Sequence, residues 1–164
     1  MIRPARMGDV FRLVELVEYA HARSAYVGRC GVDAVYTRKL LGALIMKHGG
    51  VYDGSGFVMV ADDGDGIPQA FVAGMLDRVH SFGDMLQAND VALISTAVAR
   101  KSALLELFRA YVEWGASNPR VLRILASRFD DISGSDRLDG LFKRCGLTRC
   151  GAVFSRAVEP VTQG

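Results

Sequence analysis

The sequence predicts one soluble α/β domain, and three observations carry that prediction. The chain has 164 residues, 50% of them hydrophobic, enough for a single domain that buries roughly 70% of its unfolded surface. Its apolar residues keep helical spacing over the first third, alternate like strands after Gly56, and return to helical spacing after Arg100. Charged residues make up 23% and aromatics 9%, which is globular rather than disordered composition.

Each element can be justified in turn. Ile2 and Ala5 open a short apolar strand that stops at Gly8-Asp9, and Asp9 is the expected N-cap of the first helix. From Val10 onward Phe11, Val14, Val17 and Tyr19 fall near helical spacing, with Arg12, Glu15 and Glu18 between them. Residues 22–31 form a loop closed by Gly28 and Gly31. A second helix follows from Asp33, expected to bury Val35, Leu40, Leu41, Leu44 and Ile45 and to stop at Gly49-Gly50. Residues 57–61 are a β-prone run cut off by Asp62-Asp63-Gly64-Asp65-Gly66. That stretch is a hairpin turn; as a calcium loop it lacks the later Glu and the flanking helices.

Residues 68–79 are the returning strand, and a polar segment, 80–89, leads to a central strand at 91–98. A long helix runs from about Lys101 to Ala116, with Leu104, Leu105, Phe108, Tyr111 and Val112 as its buried stripe and Arg109 and Glu113 paired outside it. Another strand is expected at 121–126, a short helix at 135–145 and a last strand at 152–158. The tail after Pro160 should fray. No repeat or linker interrupts the pattern, so residues 1–159 read as one domain.

Several classes of function are disfavoured by composition. Lys+Arg 20 against Asp+Glu 18 leaves a net charge of +2, which asks for neither nucleic acid nor a membrane surface as partner. The arginines are scattered among acids, so nucleic acid is the least favoured partner. The opening Met1-Ile2-Arg3-Pro4 is unlike a signal peptide, and the apolar runs at 56–61 and 91–94 are too short to cross a bilayer. An odd count of three cysteines fits a reducing cytoplasm. Cys145 and Cys150 lack zinc-knuckle spacing and have no nearby His, so no metal is expected.

The order strand, two helices, hairpin, central strand, long helix, strand, short helix, strand resembles the GCN5-related N-acetyltransferase superfamily over nearly the whole chain. Local phrases carry the same resemblance: Ile2-Arg3-Pro4-Ala5 followed by Asp9, Gln69-Ala70-Phe71-Val72-Ala73-Gly74-Met75-Leu76, Ser102-Ala103-Leu104-Leu105-Glu106-Leu107, and Leu141-Phe142-Lys143-Arg144-Cys145-Gly146-Leu147. The loop after the central strand is similar to that of superfamily members found in phages. The resemblance implies a mixed, mostly antiparallel central sheet flanked by helices on both faces. It also implies acetyl-CoA as cosubstrate, held where the central strand and the next one splay apart. The pyrophosphate then rests on free N–H groups at the start of the long helix, at Thr96, Val98, Ala99, Arg100, Lys101, Ser102 and Ala103.

Two positions depart from the family pattern. The expected pyrophosphate loop has no glycine, where the family has an Arg or Gln and two spaced glycines. Phe142 stands where many members have a Tyr that protonates the leaving thiolate, and a phenyl ring has no proton to give. Ser135 matches a cofactor-contacting Asn of the family, with N-capping of its own helix as the other reading. His80 is the candidate base by residue type. Asp130 and Asp131 can order a water or cap a turn, and Tyr26 and Arg29 lie in a loop that varies with the acceptor. An N-acetyltransferase acting by direct transfer to an unidentified amine, and a non-catalytic binding or phage regulatory module of the same fold, both remain open. A homodimer is compatible with either.

Overall fold

A computed structural model describes residues 1–48, 54–128, 135–151 and 155. Among these described residues the centre is a sheet of five strands: β1 (Ile2–Pro4), β2 (Gly56–Asp62), β3 (Pro68–Arg78), β4 (Leu86–Ser95) and β5 (Val121–Leu125). They lie side by side in chain order; every pair is antiparallel except β4–β5, which is parallel. Four α-helices cover it: α1 (Val10–His21), α2 (Ala34–Lys47), α3 (Ala103–Ser117) and α4 (Arg137–Arg144).

Strand alternation divides the core in two. Val58, Val60, Phe71 and Ala73 point to one face and pack with Leu13 and Leu16 of α1 and Leu41 and Leu44 of α2. Phe57, Ala61, Ala70 and Val72 point to the other, against Leu107, Phe108 and Tyr111 of α3, with Leu141 and Phe142 of α4 beside them. The expected mixed, mostly antiparallel sheet with helices on both faces is what forms.

Several local expectations are corrected. The central strand runs Leu86–Ser95 rather than 91–98. Its partner β3 begins at Pro68, and the last bond at this end is Thr96 N–H to the Gln69 carbonyl (2.9 Å), so Val98 falls beyond the ladder. Helix α3 starts at Ala103, two residues later than expected, and Leu107 rather than Leu104 or Leu105 is fully buried. Phe11 and Val35 are exposed, because the inward stripe of α1 is Val10, Leu13, Val14 and Leu16, and that of α2 is Leu41, Gly42 and Leu44. The expected strand at 152–158 and the stop at Gly49-Gly50 lie outside the described residues.

Asp9 does not cap α1. Its carboxylate accepts the Arg6 N–H (2.7 Å) within a preceding 3-10 turn, Met7–Asp9, and is forked by Arg3 (2.8 and 3.0 Å). Arg3 also reaches Asp62 (2.9 Å), which ties β1 to the end of β2, and its fork holds the Asp9 carboxyl below its ordinary value. Asp33 does cap α2, accepting the Tyr36 N–H at 2.9 Å.

Candidate active site

The sheet opens where the parallel pair β4–β5 ends. β4 and β5 are in register from Leu86 opposite Val121 to Asn89 opposite Leu125, and no strand among the described residues continues on that side of β4. A bulge sits at the same place: Gly74 faces Asp90 and Ala73 faces Ala92, which leaves Val91 as the extra residue. Bulges bend a strand and re-aim its side chains. Beyond the bulge the Thr96–Gln69 bond sets the alternation of the ladder. Ala92 and Ile94 therefore direct their backbone groups to β3, and Leu93 and Ser95 direct theirs into the wedge.

Asp90 stands at the apex of this wedge. Its carboxylate accepts the Ser127 N–H (3.0 Å), just past the end of β5. Burial pushes its pKa up to about 6, although the Ser127 bond pulls the other way. A carboxyl with that value is ionised at neutral pH and still basic enough to take a proton from a reacting nitrogen. Tyr111 of α3 is fully buried beside it, and its hydroxyl donates to the Leu125 carbonyl (2.7 Å). Burial, and then the charge of Asp90, push that hydroxyl well above the usual range, so it stays a donor.

The start of α3 lies past the open end of β4. The side chain of Ser102, the N-cap residue, accepts no backbone N–H of the first turn, unlike that of Asp33 at α2; its hydroxyl meets the Glu106 carboxylate instead. An uncapped first turn leaves N–H groups for an anion, and the helix dipole favours one there. The loop adopts no left-handed residue, since the described residues contain no positive φ outside glycine. The missing glycines therefore cost no backbone strain.

The expected cofactor positions share this corner but face different ways. Thr96 donates its hydroxyl to Gln69 Oε1 (3.2 Å), towards β3. Val98 is exposed and Ala99 half-buried against the α3 core. Arg100 forks the Glu106 carboxylate and donates to Ser102 Oγ (2.9 Å), so its charge is already engaged, while Lys101 is exposed. Ala103 is fully buried. Behind the loop Val98, Ala99 and Arg100 border a groove of about 390 Å³ against Met1, Asp62, Asp63 and Gln69. This groove lies on the β2–β3 side, away from the wedge. Its carboxylates are satisfied internally, Asp62 by Arg3 and the Met1 amine, Asp63 by the N–H groups of Asp65 and Ile67.

Other predicted residues lie apart. His80 is exposed in the β3–β4 turn, where its Nδ1 accepts the Phe82 N–H (3.3 Å), at the opposite end of β4 from the α3 loop. Ser135 is buried and starts the turn into α4, its carbonyl accepting the Leu138 N–H (2.9 Å). Phe142 is half-buried with its ring 4.9 Å from that of Phe108. Tyr26 and Arg29 share a turn in the α1–α2 loop; Asp130 and Asp131 lie outside the described residues. Spacing alone does not single out Asp90, because it falls between the polar segment expected at 80–89 and the strand expected at 91–98. The signal was a lone carboxylate next to an apolar run, two residues after the small Ala88. Among the described residues no cluster of His, Cys, Asp and Glu can hold a metal, and no helix is long and apolar enough to cross a membrane.

No family model and no curated protein sequence matches this chain. Solved structures do. A Bacillus halodurans protein, solved as a point mutant, aligns with a TM-score of 0.73 at 16% identity, over 97% of this chain and 99% of that one. Glucosamine-6-phosphate N-acetyltransferase from Arabidopsis thaliana aligns at 0.66 and 11% identity, over 97% and 98%. An acetyltransferase from Trypanosoma brucei aligns at 0.66 and 9% identity, over 96% and 99%. At such identities the likeness concerns the fold, and end to end the chain has the fold of the GCN5-related N-acetyltransferases.

Proposed function

We propose that the protein is an N-acetyltransferase that takes the acetyl group from acetyl-CoA and passes it directly to an amine in a ternary complex. Asp90 carries this reading: a half-buried carboxyl with a pKa of about 6 sits where β4 and β5 part. Among the described residues its bonds go to Ser127 and no cation pairs with it, so its charge is left available to a reacting group. The acetyltransferase fold supports the same reading.

The chemistry follows from the wedge. The neutral amine attacks the thioester carbonyl carbon, and as the C–N bond forms the nitrogen becomes strongly acidic. Its proton goes to Asp90. The C–S bond then breaks with its electron pair on sulfur, and water supplies the thiolate proton, since Phe142 has none to give. Backbone N–H groups of Leu93 and Ser95 are aimed to polarise the carbonyl oxygen. The uncapped start of α3, with Lys101 beside it, suits the pyrophosphate. Holding both reactants in line supplies the larger part of the rate.

Titration calorimetry with acetyl-CoA tests the donor site. Binding should weaken by about 1–3 kcal/mol in the double variant Arg100→Ala, Lys101→Ala; unchanged affinity would move the phosphate elsewhere. Thiol release with a panel of lysyl peptides, amino sugars and polyamines tests the transfer. One observation favours a second reading, a CoA-binding module without catalysis: the Phe142 ring packs on Phe108 and offers no proton. CoA binding without thiol release across the panel would select that reading, and no CoA binding at all would refute both.

A further inference from the structure

We infer that Tyr111 is a positioning residue that ends the β4–β5 ladder and aims Ser127 at Asp90. The inference rests on the reading of the wedge as the donor cleft. Parallel strands keep pairing as long as backbone donors and acceptors meet. Here both groups of β5 that would extend the ladder are captured by side chains. The Leu125 carbonyl accepts the Tyr111 hydroxyl (2.7 Å) from the α3 side. Two residues on, the Ser127 N–H is taken by the Asp90 carboxylate (3.0 Å). β5 is thus held to α3 at its last paired residue and to the base just beyond it.

The surrounding packing is built for that reach. A methyl at Gly74 would lie 2.6 Å from Tyr111 Cε2, so the ring passes over a strand position that only glycine leaves open. Gly74 is the residue opposite Asp90 at the bulge. The ring also meets Phe57, Phe108 and Trp114, at centroid distances of 6.2, 5.5 and 5.9 Å. Those neighbours fix the ring, and the fixed ring carries the hydroxyl to Leu125. The charged and polar groups facing Asp90 are its own N–H, the N–H and hydroxyl of Ser127 just past β5, and the Tyr111 hydroxyl from α3.

Tyr111→Phe keeps the ring and removes only the hydroxyl. The Leu125 carbonyl is then released, and the Ser127 N–H loses its aim. Hydrogen exchange should show the Ser127 amide exchanging about tenfold faster, with amides in the middle of β3 unchanged. A ¹³C titration of the Asp90 carboxyl should move up, because burial by the ring remains while the Ser127 donor is lost. Acetyl-CoA should bind about fivefold more weakly, the equivalent of one net hydrogen bond. Phe108→Leu is the control: it loosens the same core without touching Leu125, and should leave the Asp90 midpoint in place. An unchanged Ser127 amide and Asp90 midpoint in Tyr111→Phe, or the same shift in Phe108→Leu, would overturn the inference while leaving the donor site standing. Loss of acetyl-CoA binding by the parent protein would refute the donor site itself. The exchange and titration results would still decide whether Tyr111 sets the wedge.

Discussion

Replacing Asp90 with Asn should make the protein more stable and, under the proposed function, inactive. The carboxyl is raised from 3.8 to about 6, mainly by burial. At about 1.4 kcal/mol per unit, that gap corresponds to a ceiling of about 3 kcal/mol of folding stability given up to keep it ionised at pH 7. The carboxyl is partly exposed, and the amide Oδ1 can still accept the Ser127 N–H while its NH2 needs a partner. A gain of about 1–2 kcal/mol is therefore expected, or roughly 2–8 °C in Tm for a chain of this length. The sign with pH follows from linkage. A carboxyl whose folded pKa is raised contributes fully below its unfolded value, and that contribution is lost as pH rises through about 6. The stability difference between variant and parent should thus be small at pH 4 and grow up to pH 7. Thermal melts at half-unit intervals measure it, alongside thiol release at each pH, where the limb near pH 6 should vanish. A difference that is flat from pH 4 to 7 would refute the argument, and so would a less stable variant.

Three further outcomes are expected. Gly74→Ala puts a methyl 2.6 Å from the Tyr111 ring, and should cost about 1–3 kcal/mol by overpacking in a denaturant titration. Phe142→Tyr adds a hydroxyl to a half-buried ring beside Phe108; if that hydroxyl reaches the thiolate, turnover should rise by about 10²-fold or more at little cost in Tm. His48, whose pKa burial lowers and whose Nδ1 meets the Val58 N–H and C=O (3.2 and 2.9 Å), should withdraw stability as pH falls below about 6.5. His48→Gln should flatten that slope in melts between pH 5 and 7.5.

The layers of this fold were legible because they follow from spacing. The alternation over Gly56–Asp62 and Pro68–Arg78 names both faces of the sheet, and Asp33 announces the start of α2. The wedge was not legible, for a physical reason. A bulge reverses which residues of β4 face inward, so Ala88 and Leu93 share a face although one number is even and the other odd. A period-two reading across Val91 fails at that step, and it gives Asp90 no place on either face. Phe11 and Val35 were misplaced for a simpler reason: helical spacing finds a stripe, and a one-residue rotation exchanges its edge for the solvent face. Arg100 was legible as a cation near a helix start, but its fork to Glu106, six residues on, depends on side-chain reach.

The order of the strands also bears on how the molecule assembles. β2, β3 and β4 are neighbours in sequence as well as in space, so their ladders can close from local hairpins, at little loop entropy. β1 must wait for the long segment that holds α1 and α2. The parallel junction of β4 with β5 also comes after the hairpins, because α3 lies between the two strands and must fold and cross the sheet. The most sequence-local part of the protein is therefore a scaffold that stands before the cleft exists. Substitutions around Ser127 and Asp90 then act on a late step: they should speed unfolding of the β5 end while the meander folds at an unchanged rate.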